Sequence, residues 1–149
     1  MDTNELNEQE MRIWNLWKGT FKRIFGRVVA DMSAHTGLSE GDFGVLDRLV
    51  QLGGGKLRQQ ELADSMEWDK SRLSHHLTRM EKRGLVQRKP LATERGIEVS
   101  ITAAGQSALA EALPVVSKAI RTYFLDQLTD ADIESITKLA ERTKGDPSV

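Results

Sequence analysis

Cysteine is absent from the 149-residue chain, which excludes disulfides, thiolate zinc sites and thiol redox sensors. His35, His75 and His76 are the only histidines left as soft metal ligands, and neither a structural metal nor a cofactor is expected. No apolar run approaches the roughly 20 residues that a bilayer span needs. The opening MDTNELNEQE is acidic and has neither the basic nor the apolar region of a secretory signal, so a cytoplasmic protein is expected. No nucleophile, base and orienting acid occur at a recognisable spacing, and no phosphate-cradling glycine loop precedes a helix. The GGG at 53–55 reads instead as a helix-ending turn. An enzyme is therefore not expected.

What the chain does have is a hidden dipole. It carries 21 Lys and Arg against 22 Asp and Glu, close to neutrality. Yet the stretch WDKSRLSHHLTRMEKRGLVQRKPLATERG, from Trp68 to Gly96, holds eight cations and three acids, leaving 13 cations against 19 acids elsewhere. The near-neutral total therefore conceals a dipolar protein.

Helix signals dominate the pattern, and the length suits one domain with a real core. Trp14, Trp17, Phe21, Ile24, Phe25, Val28 and Met32 recur at steps of three and four, giving a long first helix a wide apolar side. Ser39 with Asp42 forms a capping signal for a second helix from about Glu40 to Leu52. RQQELADSM supplies a short helix with Leu62, Ala63 and Met66 inward. In the next helix Leu73, Leu77 and Met80 fall on one narrow stripe, while Ser71, His75, Thr78 and Lys82 project from the opposite side with Arg72 and Arg79 flanking them. Gly84 suits the residue that ends this helix. LVQRK and IEVSI then read as a hairpin with the basic tip PLATERG. From Thr102, an expected N-cap, a helix runs to about Phe124 with Pro114 predicted to kink it. TDAD at 129–132 caps a last helix with Ile133, Ile136, Leu139 and Ala140 on one face.

A short helix, a tight turn, a polar-faced helix and a basic hairpin make a winged helix-turn-helix, whose second helix suits a major groove. The segments LRQQELADSM, KSRLSHHLTRMEKRGLVQR, ERG and VSITAAG, in that order, resemble the MarR family of bacterial transcriptional regulators over nearly the whole chain. The resemblance implies a homodimer whose first and last helices interlock, and a small organic ligand that releases DNA by binding between the dimer region and the DNA-binding lobe. One departure stands out: Thr93 occupies the position where the family's wing usually carries an Asp that braces the Arg matching Arg95. Glu94 is adjacent but, in an extended wing, points the other way.

The expected architecture is mainly α with a small β-hairpin wing. Within one domain over 1–149, it comprises a winged helix-turn-helix lobe over 57–101 and a helical dimerisation region formed by both chain ends, 6–36 and 102–145. The candidate DNA contacts are Lys70, Ser71, Arg72, Ser74, His75, Thr78, Arg79, Lys82, Lys89 and Arg95. The expected function is a sequence-specific repressor that acts as a homodimer on a pseudo-palindromic operator and answers to a small aromatic or phenolic effector. The resemblance places that effector beside Trp14, Trp17, Phe21, His35 and Phe43, whose ordinary alternative is a filled core. A charged helix face taken alone is usually only solvated, and the terminal helices could pack on each other within one chain. The competing function is therefore a winged-helix module that recruits a protein and no longer binds DNA. His75 and His76 diverge by ~100° on a helix and cannot chelate one ion as an i, i+4 pair does; His76 reads as a half-buried packing residue.

Overall fold

Capping and periodicity resolve into six α-helices and three short strands in the computed structural model, which describes residues 5–145. In chain order these are α1 (Glu8–Thr36), α2 (Glu40–Gly53), β1 (Lys56–Arg58), α3 (Gln59–Met66), α4 (Lys70–Lys82), β2 (Val86–Pro90), β3 (Ile97–Ile101), α5 (Ala103–Tyr123) and α6 (Asp130–Thr143), with a short 3-10 turn at Leu125–Gln127 before α6. The ends of the expected 1–149 domain, residues 1–4 and 146–149, lie outside the described residues. The chain divides into two compact units, one formed by the residues before Val28 together with those after Ser117, the other by Val28–Ser117.

The Val28–Ser117 unit is organised around one apolar core. Leu46, Leu49, Leu62, Leu73, Leu77, Met80 and Val99 are fully buried in it, joined by Met32, Leu38, Leu109 and Ala112. Each such leucine contributes about 1.5–3 kcal/mol relative to an exposed one. Because the core draws on α2 and α5 as well as on 57–101, this unit extends beyond the helix-turn-helix and its wing on both sides.

Local chemistry sets the element ends. The Ser39 hydroxyl accepts from the Asp42 N–H at 3.1 Å while the Asp42 carboxylate accepts from the Ser39 N–H at 2.9 Å, a reciprocal capping box. Gly84 adopts φ +73°, a conformation open to a residue without Cβ. There its N–H reaches Glu81 O, and the Leu85 N–H reaches Met80 O, which closes α4 in a Schellman turn. The hairpin gains a third strand: β3 is central, pairing antiparallel with β2 from Val86↔Ile101 to Pro90↔Ile97, and with β1 from Lys56↔Ser100 to Arg58↔Glu98. The Thr102 hydroxyl accepts from the Gly105 N–H at 3.0 Å and starts α5, which continues through Pro114.

The other unit is different in kind. From Leu6 to Arg23 every residue is exposed, and α6 has no buried residue at all. Large apolar side chains stand open on both helices, including Trp14, Trp17, Phe21, Ile133, Ile136 and Leu139. These helices therefore do not bury their apolar faces on each other within one chain.

Candidate nucleic-acid interface

Helix α4 is held on both flanks, and the way it is held decides which of its polar groups stay free. Leu73, Leu77 and Met80 seat it on the core. On the α2 side, Asp42 is 7% exposed at its side chain and accepts from Arg83 Nη1 at 2.7 Å and from His76 Nε2 at 2.9 Å. Burial alone would raise the Asp42 carboxyl, but the hydrogen bond from the Ser39 backbone and the Arg83 guanidinium outweigh it and hold the group below the ordinary aspartate value of 3.8. Arg83 Nη2 also donates to Gly37 O at 3.3 Å. His76, expected as a packing residue, is thus a hydrogen-bonded link between α4 and the first turn of α2.

On the wing side Arg88 of β2 does the corresponding work. Its Nε donates to Glu81 Oε1 at 2.6 Å, its Nη1 to the Ser74 hydroxyl at 3.3 Å and its Nη2 to the Thr78 hydroxyl at 2.8 Å. Ser74 and Thr78 are therefore both engaged by the wing strand, and Ser74 is half-buried.

Between these flanks runs an open stripe. Ser71, His75 and Lys82 are exposed and, among the described residues, form no side-chain hydrogen bond or ion pair. Lys70 is exposed at the start of the helix. Asp69 caps that end by accepting from the Arg72 N–H at 2.7 Å. The Arg72 guanidinium lies 4.0 Å above the Trp68 ring, and Arg79 Nη2 lies 3.2 Å from His76 Nδ1. Of the eight cations in the basic window, Arg83 and Arg88 are thus spent on holding α4 in place. Lys70, Arg72, Arg79, Lys82, Lys89 and Arg95 remain exposed and, among the described residues, form no ion pair. This is a surface whose donors are largely free of internal acceptors, Arg79 giving one N–H to His76, and it suits phosphate oxygens and base edges.

The wing tip carries Arg95, exposed beside Gly96. The expected brace from position 93 is missing, but Glu94 reaches across to β1 and pairs with Arg58 Nη2 at 2.6 Å. Arg58 also approaches Glu61 at 3.7 Å. The wing is therefore tied to the start of α3, and Arg95 stays free of that tie.

The candidate effector residues fall in both compact units. Trp14, Trp17 and Phe21 lie on the exposed half of α1, where Phe21 stacks on Phe25 at 5.5 Å. His35 and Phe43 belong to the other unit: the His35 Nδ1 lies 2.8 Å from Asp31 O at the end of α1, and half-buried Phe43 packs against the core. Among the described residues no group of three acidic, His or Cys side chains could hold a metal ion, and no helix is long and apolar enough to cross a membrane.

Three side-chain connections escape a reading of the sequence. Asp42 with His76 and Arg83, Arg88 with Ser74 and Thr78, and Arg58 with Glu94 each join residues from different elements. The one sequence signal was the capping box, which fixes Asp42 at the first turn of α2 without naming its distant partners.

Comparison with known proteins agrees with this geometry. The family model of a domain of unknown function (DUF7343) matches residues 39–94, from the α2 cap to the wing tip. No curated protein matches the sequence. AbsC, a MarR family transcriptional regulator from Streptomyces coelicolor, is 27% identical, with 97% of this chain and 100% of that one covered at a TM-score of 0.84. A second MarR family regulator from Streptomyces coelicolor, solved in complex with DNA, is 25% identical over 93% of this chain and 87% of its own, also at 0.84. An organohalide-sensing transcriptional regulator bound to 2,4-dichlorophenol shares the fold at 19% identity and a TM-score of 0.74, covering 96% of this chain and 89% of its own. These similar structures are transcriptional regulators rather than enzymes. The chain accordingly has a winged helix-turn-helix fold similar, over nearly its whole length, to that of MarR family transcriptional regulators.

Proposed function

We propose that this chain is a sequence-specific DNA-binding repressor that acts in the cytoplasm as a homodimer on a pseudo-palindromic operator and responds to a small organic ligand. The observation that carries the reading is the stripe of Ser71, His75 and Lys82, open beside Arg72 and Arg79 on a helix anchored along both flanks. An anchored helix with an unpartnered donor face is pre-organised for a major groove. Lys89 and Arg95 on the wing extend the same positive surface toward backbone phosphates and a minor groove.

The homodimer rests on the terminal helices. A 14-residue helix such as α6 is marginal in water on its own, and here it is amphipathic and wholly exposed. A second copy of the same faces would cover both α6 and the open half of α1, giving residues 6–36 and 102–145 their role as the dimerisation region. Two-fold symmetry then places half-site centres about 10–10.5 base pairs apart, or a multiple of that.

The effector class is an aromatic acid or phenol, supported by the likeness to a regulator solved with 2,4-dichlorophenol and by the open aromatic side chains of Trp14, Trp17 and Phe21. Selection of bound fragments from random duplex DNA tests the main reading. An inverted repeat is expected; recovery of no sequence preference overturns DNA-specific function. Quenching of Trp14 and Trp17 fluorescence by phenols, with loss of DNA binding, tests the effector class; a broad panel that changes neither signal makes the protein a constitutive repressor.

A further inference from the structure

Arg72 and Arg79 stand two turns apart on α4, so at ~100° per residue they share one flank. Each guanidinium meets a ring. Arg72 lies 4.0 Å over the Trp68 indole, and Arg79 Nη2 is 3.2 Å from His76 Nδ1. The two rings touch each other edge to face, with centroids 5.3 Å apart and planes at 73°.

Both rings rest on the first turn of α2, and Gly41 makes room for them. A Cβ at that position would stand 2.8 Å from His76 Cε1 and 2.9 Å from Trp68 Cη2, closer than side-chain atoms approach. From there His76 Nε2 reaches Asp42 Oδ1 at 2.9 Å. A guanidinium carries only donors, so the nitrogen facing Arg79 must accept. That puts the ring proton on Nε2, where it donates to Asp42. The imidazole is thereby a directed link, taking a hydrogen bond from Arg79 and giving one to the carboxylate that also holds Arg83.

The contact with the Trp68 ring takes none of the Arg72 N–H groups to a carboxylate or carbonyl, and a pair of those N–H groups is what contacts a guanine. Arg79 gives one N–H to His76 and keeps the others. Both long side chains are thus ordered before any partner arrives, which lowers the entropy lost on binding.

We propose that Trp68 and His76 are positioning residues that pre-set Arg72 and Arg79, and so determine base preference more than overall affinity. The proposal rests on the reading of α4 as the DNA-reading helix. Three substitutions isolate it from simple packing. The amide nitrogen of Gln falls near the Nε2 position of His, so His76→Gln keeps the bond to Asp42 and loses the acceptor for Arg79. Trp68→Leu keeps apolar bulk and removes the ring face, whereas Trp68→Phe retains a face.

In a selection from random duplexes, His76→Gln is expected to lose discrimination by about tenfold at the base positions that Arg79→Ala also loses, and the double variant should be no worse than either single one. Trp68→Leu should match Arg72→Ala in the same way, with Trp68→Phe restoring most of the preference. Nitrogen NMR of the DNA-free protein should show His76 protonated at Nε2 and unprotonated at Nδ1. A proton at Nδ1 overturns the directed link. A parent chain that selects a sequence, with variants that select it equally well or doubles whose effects simply multiply, overturns the positioning role alone. A parent that selects no sequence overturns the DNA-reading function itself.

Discussion

Glu94 at the wing tip and Arg58 at the end of β1 are joined at 2.6 Å, across an ion pair that leaves each side chain about half exposed. Such a pair contributes about 0.2–1 kcal/mol, enough to bias a short loop but not to build one. Arg58→Glu or Glu94→Arg should therefore weaken DNA binding by at most about fivefold, and the double exchange should recover most of the loss. With the wing already tied, Thr93→Asp should add only repulsion from phosphates and weaken binding. Hydrogen exchange in 91–97 that slows in the Asp variant, together with tighter binding, would show that the Arg58 tie is insufficient.

A division of labour is expected along the basic surface. Arg72→Ala and His75→Ala should change preference at particular base pairs, at about 1–3 kcal/mol for a good paired contact. Lys82→Ala and Lys89→Ala should weaken all sequences alike and flatten the dependence of affinity on salt. Titrations at several salt concentrations against the selected site and a scrambled one separate the two behaviours. An Arg72→Ala variant with unchanged site preference would remove α4 from the base-reading role.

Acid should act through Asp42. Its carboxyl lies below the ordinary value of 3.8 when folded, so the stabilisation it gives is complete above that value and is lost as pH falls through the lower, folded one. At neutral pH, Asp42→Asn should cost about 1.5–3 kcal/mol, the scale of hydrogen bonds to a charged group. The gap between parent and variant should close as the solution is acidified below about pH 4. Urea melts across that range measure it; a gap that stays constant would mean the charge of Asp42 is not what matters.

Ile136→Glu should break the proposed homodimer. Ile136 is 41% exposed within one chain, so the substitution removes nothing from that chain's own core and places a charge where a second copy is expected to bury it. Sedimentation should show a monomer with reduced helix content, while the Val28–Ser117 unit stays folded. A variant that remains dimeric places the interface elsewhere.

Much of this was legible because it is local. The stripe of Leu73, Leu77 and Met80 follows from helical period, the caps at Ser39 and Thr129 from two residues three apart, and the stop at Gly84 from one glycine. β1 escaped because three residues, Lys56–Arg58, are too few to show alternation. The anchors escaped for another reason. His76 meets Asp42 from 34 residues away and Arg83 meets it from 41; helical geometry predicts the direction in which a side chain leaves its helix but not what the fold brings to meet it. For the same reason the sequence counts Arg88 only in the basic window and puts Ser74 and Thr78 among the candidate DNA contacts, without the bonds that β2 makes to α4.

The anchoring of α4 also bears on how such a protein could change its target over time. Apart from its end caps, the helix is held chiefly by its buried stripe and its two flanks, through Leu73, Leu77, Met80, His76, Arg83, Ser74, Thr78 and Glu81. Ser71, His75 and Lys82 contribute none of it, and exposed positions of that kind usually exchange within about 0.5 kcal/mol of stability. Residues at these three positions can therefore turn over freely among paralogues while the scaffold beneath them is conserved, so new operators become reachable by single substitutions without passing through an unfolded intermediate genotype.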